Sequence, residues 1–153
     1  YVADISFKDI ADIFEIRAAL EGLAAGLAAE RITDEELEAM ERHLVEKADA
    51  IHNHDMERLV EVDTKFHESI YRASRNERLL PIINNLREQI QRFRATSLAY
   101  PGRMKQSLEE HRALVEAIQA RDAVLARQLA HEHIENAEQS MIESIKKDGF
   151  IPD

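Results

Sequence analysis

The chain has 153 residues, enough for one domain that buries about two-thirds of its unfolded surface without covalent staples. It contains no cysteine, which excludes disulfides, thiolate metal sites and cysteine nucleophiles and leaves His, Asp and Glu as the strong metal ligands. Thirty acidic residues against 20 basic ones give a formal net charge of −10, a poor balance for gripping a phosphate backbone.

Only four Gly and three Pro occur, and no segment sustains an alternation of apolar and polar positions, so the chain is expected to be all-α. No apolar run approaches a membrane span, and the opening "YVADISFKDIADIFEIR" lacks the basic start and apolar middle of a signal peptide. A soluble, cytoplasmic protein is the expectation. The absence of an initiator methionine reads as a fragment. Six helices can be drawn. The first, roughly 9 to 30, buries Ile10, Ile13, Phe14, Leu20, Ala24, Leu27 and Ala28, and Arg17 interrupts that stripe. "TDEE" matches a capping box with Thr33 as N-cap and Glu36 reaching back, and it opens a second helix that ends near "HNH". Asp55 caps the third helix, whose stripe is Leu59, Val62, Phe66 and Ile70. Asn76 is expected to cap a fourth helix carrying Leu79, Ile83, Leu86, Ile90 and Phe93 inward, with Pro81 tolerated near its start. "AYPGR" breaks the chain before a fifth helix with Met104, Leu108, Leu114, Val115 and Ile118 on one face. Asp122 caps a long last helix, past Leu129, Ala130, Ala137 and Met141, which Gly149 and Pro152 end. The expected architecture is a single antiparallel six-helix bundle.

Polar residues on these apolar faces are the candidates for chemistry, because burying them is costly unless something satisfies them. Of the seven histidines, His43 falls off its stripe, His52 and His54 lie in a turn, and His131 faces away from the core, so these four are expected to be solvated. His67, His111 and His133 face inward from three different helices, and Asp63 stands one turn before His67. Each could be a hydrogen-bonded core residue. Together they form one oxygen and three nitrogen ligands suited to a divalent transition metal, zinc foremost, with nickel, cobalt, manganese or iron also fitting. Arg17 has two readings, an ion pair with Glu21 four residues on, or a cation aimed inward to take a carboxylate in two parallel hydrogen bonds. Arg94, beside Phe93, carries a weaker version of the second.

The segments "EIRAALEGLAAGLAAERIT", "VDTKFHESIYRASRNERLL" and "EEHRALVEAIQARDAVLARQLAHEHI" resemble, in order and spacing, the effector-binding (FCD) domain of FadR-type regulators of the GntR family. The likeness covers essentially residues 1–153. It implies a bundle with a central cavity, a metal held by Asp63, His67, His111 and His133, and a small organic or sugar acid beside that metal, with Arg17 and less securely Arg94 as carboxylate partners. It further implies a homodimer and operator binding by an N-terminal winged helix-turn-helix domain. This chain lacks such a segment and its first residues resemble the linker after it, so the expectation is the sensing half of a transcription factor.

Two competing functions remain open at this stage. A helical metal-dependent hydrolase would use an open metal position, but no Glu precedes any His by three residues, no His-Glu-x-x-His occurs, and the "HD" of His54 and Asp55 lies at a turn. A metal-free structural or interaction bundle would satisfy its polar core groups internally.

Overall fold

Seven α-helices and one 3-10 turn make up the regular structure of residues 5–148, the part of the protein that the computed structural model describes. They are α1 (Phe7–Arg31), α2 (Asp34–His52), α3 (Met56–Ala73), α4 (Leu79–Gln89), α5 (Arg94–Ala99), α6 (Arg103–Gln119) and α7 (Ala123–Lys147), with the 3-10 turn at Gln91–Phe93. The helix starts follow from local chemistry. Thr33 and Glu36 close the expected capping box, and Asp55 and Asp122 accept from the backbone N–H of Arg58 and Leu125. Ser6 and Asp9 form a second capping box, which starts α1 two residues before the sequence suggests.

The fourth helix is where expectation and structure part. Instead of one helix carrying Phe93 inward, α4 stops at Gln89, Ile90 takes φ −115°, and the chain turns before restarting as α5, giving seven helices rather than six. The redirected chain seats Leu98 against Ala50 and Leu59, and it brings Arg94 onto Asp63 and Thr64 of α3. Asn76 is not the cap of α4. Its side chain accepts from the backbone N–H of Arg78, a turn two residues long, and Arg78 occupies the cap position without a side-chain bond. Pro81 is the third residue of α4, where its missing N–H has no intrahelical partner to lose. Gly149 and Pro152 lie outside the described residues.

Short turns make α2 and α3, and α6 and α7, neighbours in space. α1 packs most extensively along α7, and the two run antiparallel, since Gly22 faces Arg127 and His131 while Gly26 faces Ala123 and Arg127. Fully buried Ala24, Ala25, Ala28 and Ala29 keep this approach close. Two large apolar clusters result. One gathers the second half of α1 with Phe66, Ile70, Ile83, Leu114, Ile118 and Ala126; the other gathers Ile10, Ile13, Phe14, Ile90, Ile134, Met141 and Ile145. Between them α1 contributes Arg17 and Glu21 and α7 contributes His133, so a polar layer interrupts the apolar interior at mid-bundle.

Candidate metal and effector site

The polar layer collects side chains from every helix. His67, His111 and His133 are 4%, 0% and 5% exposed, and one ring nitrogen of each lies within 4.8 Å of those of the other two. The face test on the sequence therefore places all three, and it places His52, His54 and His131 correctly at the surface. His43 departs from expectation. It is half-buried, with Nδ1 facing Glu46 at 3.6 Å.

The orientation of each imidazole is set by what holds its outer nitrogen. Nδ1 of His133 lies 2.7 Å from Oε1 of Glu110, whose other oxygen accepts from Asn136, so His133 carries its proton on Nδ1 and keeps Nε2 bare. Nδ1 of His67 faces Oε1 of Glu21 at 3.3 Å, and its Nε2 lies 3.8 Å from Oδ2 of Asp63. A carboxylate on the outer nitrogen is the arrangement metal-ligating histidines use, because it fixes the tautomer and raises ligand basicity. His111 stacks on Phe66 at a ring distance of 4.1 Å and points Nε2 at Nε2 of His133, 3.1 Å away. Three buried imidazoles at this spacing fit a divalent transition metal.

Asp63 lies at this cluster but is already engaged. Oδ1 accepts from Lys47 at 3.1 Å, Oδ2 accepts from Arg94 at 2.7 Å, and Nε2 of His111 is 3.9 Å from Oδ1. Arg17 takes the first of its two readings, the ion pair with Glu21. The pair is buried at 2.7 Å, the carboxylate of Glu21 takes a further bond from Tyr71, and Arg17 also lines the adjoining pocket. That pocket has a volume of about 60 Å³ and brings Arg17, Arg87, Arg94 and Arg103 to one space beside Asp63, His67 and His133. Arg103 pairs with Glu110 at 3.0 Å. Arg87, 8% exposed, makes no hydrogen bond or ion pair among the described residues.

Burial and charge set the protonation of this layer. Burial pushes His67 down to about 4 against the pull of Asp63 and Glu21, and it lowers His111 and His133 as well, with the ammonium of Lys47 adding to the effect on His111. Burial works to raise Asp63, but Lys47 first and then the other cations outweigh it and hold the carboxyl well below the usual range. Glu21 behaves alike, with Arg17 as its main opposing cation. The layer at neutral pH is thus neutral imidazoles among fixed charges.

Residues 12–136 match the FCD domain family. The chain belongs to that family. Among its FCD relatives, a transcriptional regulator of Bacillus subtilis, YdhC, is 31% identical over 85% of this chain and 59% of its own length. The galactonate operon transcriptional repressor of Escherichia coli K12 is 32% identical over 79% of this chain and 52% of its own. The chain thus spans little more than half the length of these relatives. A GntR protein of Streptococcus agalactiae superposes with a TM-score of 0.74 at 29% identity, covering 86% of this chain and 58% of that one. E. coli McbR shares the fold, with a TM-score of 0.81 over 95% of this chain and 72% of its own. By name the two sequence relatives are transcriptional regulators, and the Streptococcus structure is a GntR protein. No helix among the described residues is long and apolar enough to cross a membrane.

Sequence reasoning missed Lys47, Arg87, Arg103, Glu110 and the contact of Glu21 with His67. Lys47 and Arg87 carried the same signal as Arg17, since Lys47 falls seven residues after Met40 and Arg87 four after Ile83, on the inward stripes of their helices.

Proposed function

We propose that this chain is the ligand-sensing domain of a bacterial GntR-family transcriptional regulator. It holds a divalent transition metal through His67, His111 and His133 with Asp63 as fourth ligand, and it binds a small organic or sugar acid in the adjoining pocket. The observation that carries this reading is the convergence of three buried imidazoles, two of them backed by carboxylates and lining a pocket that four arginines also line. A metal bound there would supply a Lewis-acidic centre for a carboxylate oxygen. The residues do the rest. Glu21 and Glu110 orient His67 and His133, apolar clusters flank the layer, and Arg87, which makes no hydrogen bond or ion pair among the described residues, is the first guanidinium available to a ligand carboxylate, with Arg17 and Arg94 beside it.

Signal transmission follows from linkage. An acid bound among α1, α4, α5 and α7 favours one arrangement of those helices, which shifts the spacing of winged helix-turn-helix domains outside this sequence and hence their grip on operator DNA in the cytoplasm. Ile16 on α1 and Ile82 on α4 are each half exposed and give a second copy of the chain an apolar surface for a homodimer. One relative's name as a galactonate operon repressor makes sugar acids the first to screen.

The test is elemental analysis of the purified chain beside an Asp63→Ala, His67→Ala double variant, followed by calorimetric titration with organic and sugar acids. Near-stoichiometric metal in the parent, lost in the variant, is expected. Absence of metal even after incubation with zinc, nickel and manganese overturns the four-ligand assignment.

A further inference from the structure

Two of the three imidazoles are prepared for a metal, and the third is prepared against one. His67 and His133 present carboxylates to their outer nitrogens, whereas the outer nitrogen of His111 faces a cation, Nζ of Lys47, at 3.0 Å. That ammonium is 1% exposed and has three acceptors for its three N–H groups: Oδ1 of Asp63 at 3.1 Å, Oγ of Ser107 at 2.6 Å and Nδ1 of His111. It is a fully satisfied buried charge, seated on one of the proposed ligand oxygens.

The hydrogen-bond directions then follow, the shorter contact of His133 Nδ1 with Glu110 at 2.7 Å prevailing over the Arg103 guanidinium at 3.4 Å. A neutral imidazole has one donor and one acceptor nitrogen, so accepting from Lys47 at Nδ1 leaves the proton of His111 on Nε2. That N–H donates to Nε2 of His133, 3.1 Å away, which is bare because the other proton of His133 is committed to Glu110. The chain Lys47, His111, His133, Glu110 is complete with no ion in it. His111 can offer Nε2 to a metal only by moving its proton to Nδ1, which sets donor against donor at the contact with Lys47.

We infer that Lys47 is the resident cation of this site and antagonises metal binding, so that a divalent ion enters only when the ammonium turns away from His111. No change in the charge of Lys47 is involved. Its other two acceptors, Asp63 and Ser107, both line the pocket, so the side chain can release His111 and swing toward that space while keeping a partner. Metal loading in this chain is therefore conditional, and an acid ligand in the pocket offers the ammonium its alternative seat. The inference rests on the metal site proposed above.

The experiment measures zinc affinity by competition with a chelating indicator for the unmodified chain and for Lys47→Met, which keeps the length of the side chain and removes its donors. Lys47→Met is expected to bind zinc at least tenfold more tightly. Nitrogen-15 spectra of the metal-free unmodified chain, which do not depend on any variant folding, should show the proton of His111 on Nε2 and those of His67 and His133 on Nδ1. Equal or weaker zinc binding by Lys47→Met overturns the role of Lys47 while leaving the metal site standing. A proton on Nδ1 of His111 in the metal-free chain overturns it as well. Failure of both proteins to bind zinc removes the metal site and this inference together.

Discussion

Arg17 and Arg87 carry the same charge into the same pocket, yet their removal should have unequal consequences for stability. Arg17 neutralises Glu21, which is 3% exposed, so Arg17→Met leaves a buried carboxylate short of its main partner and is expected to cost about 3 to 5 kcal/mol. Arg87 makes no hydrogen bond or ion pair among the described residues and only adds to the field that holds Glu21 ionised, so Arg87→Met should cost the ligand-free protein clearly less than Arg17→Met. The same change should weaken binding of a carboxylate ligand by about 1.5 to 3 kcal/mol, the worth of a hydrogen bond to a charged group. Denaturant unfolding and calorimetry on both variants check the pair, and a loss of stability in Arg87→Met equal to that in Arg17→Met would refute the assignment. The sequence made Asp63 and the three histidines legible because they stand out on apolar stripes. Lys47 and Arg87 stand on such stripes too, but Leu44 and Leu86 beside them complete the apolar pattern and hide the substitution. Protonation offers a second check at this scale. Burial keeps His67 neutral down to about 4, below the value near 6.5 it has when unfolded, and His111 and His133 shift the same way. The unfolded chain therefore takes up protons that the native state refuses, and the stability present above about pH 6.5 declines as the pH falls toward 4. The slope is about 1.4 kcal/mol per pH unit for each histidine kept neutral. Urea unfolding with a chelator present at pH 7.5, 6 and 5 measures this, and a flat profile contradicts it.

At the scale of elements, the starts of α2, α3 and α7 were legible because they depend on residues three apart. Thr33 with Glu36, Asp55 and Asp122 each satisfy orphan N–H groups locally, and nothing distant can override that. The break between α4 and α5 was illegible for the opposite reason. Ile83, Leu86, Ile90 and Phe93 keep the helical period straight through it, and the turn at Gln91–Phe93 is decided by partners far along the chain, Asp63 and Thr64 for Arg94 and Ala50 and Leu59 for Leu98. The broken helix is also what delivers two arginines separately. Arg87 comes from the end of α4 and Arg94 from the start of α5, and both reach one pocket.

The whole molecule carries a formal charge of −10, but its polar layer has the reverse sign. Arg17, Lys47, Arg87, Arg94 and Arg103 stand against Glu21, Asp63 and Glu110, five cations against three carboxylates, with the imidazoles neutral. A surplus of two positive charges in a largely buried layer is an electrostatic cost that an anionic ligand relieves. Adding a divalent ion raises that surplus, so the metal should bind more tightly with an acid present than without one, and each should improve the other. Linkage makes the improvement reciprocal, because the factor by which zinc raises the affinity for an acid must equal the factor by which the acid raises the affinity for zinc. With succinate as the probe, the coupling expected for charges meeting in a buried pocket is about 1 to 3 kcal/mol, or roughly 5- to 150-fold. Calorimetric titration of zinc with and without succinate, and of succinate with and without zinc, gives the two factors independently. Equal factors above about fivefold support a charge-balanced pocket in which metal and acid enter together. Affinities for either ligand that are indifferent to the other show that the surplus is neutralised by the protein itself, and that the arginines serve the fold rather than the ligand.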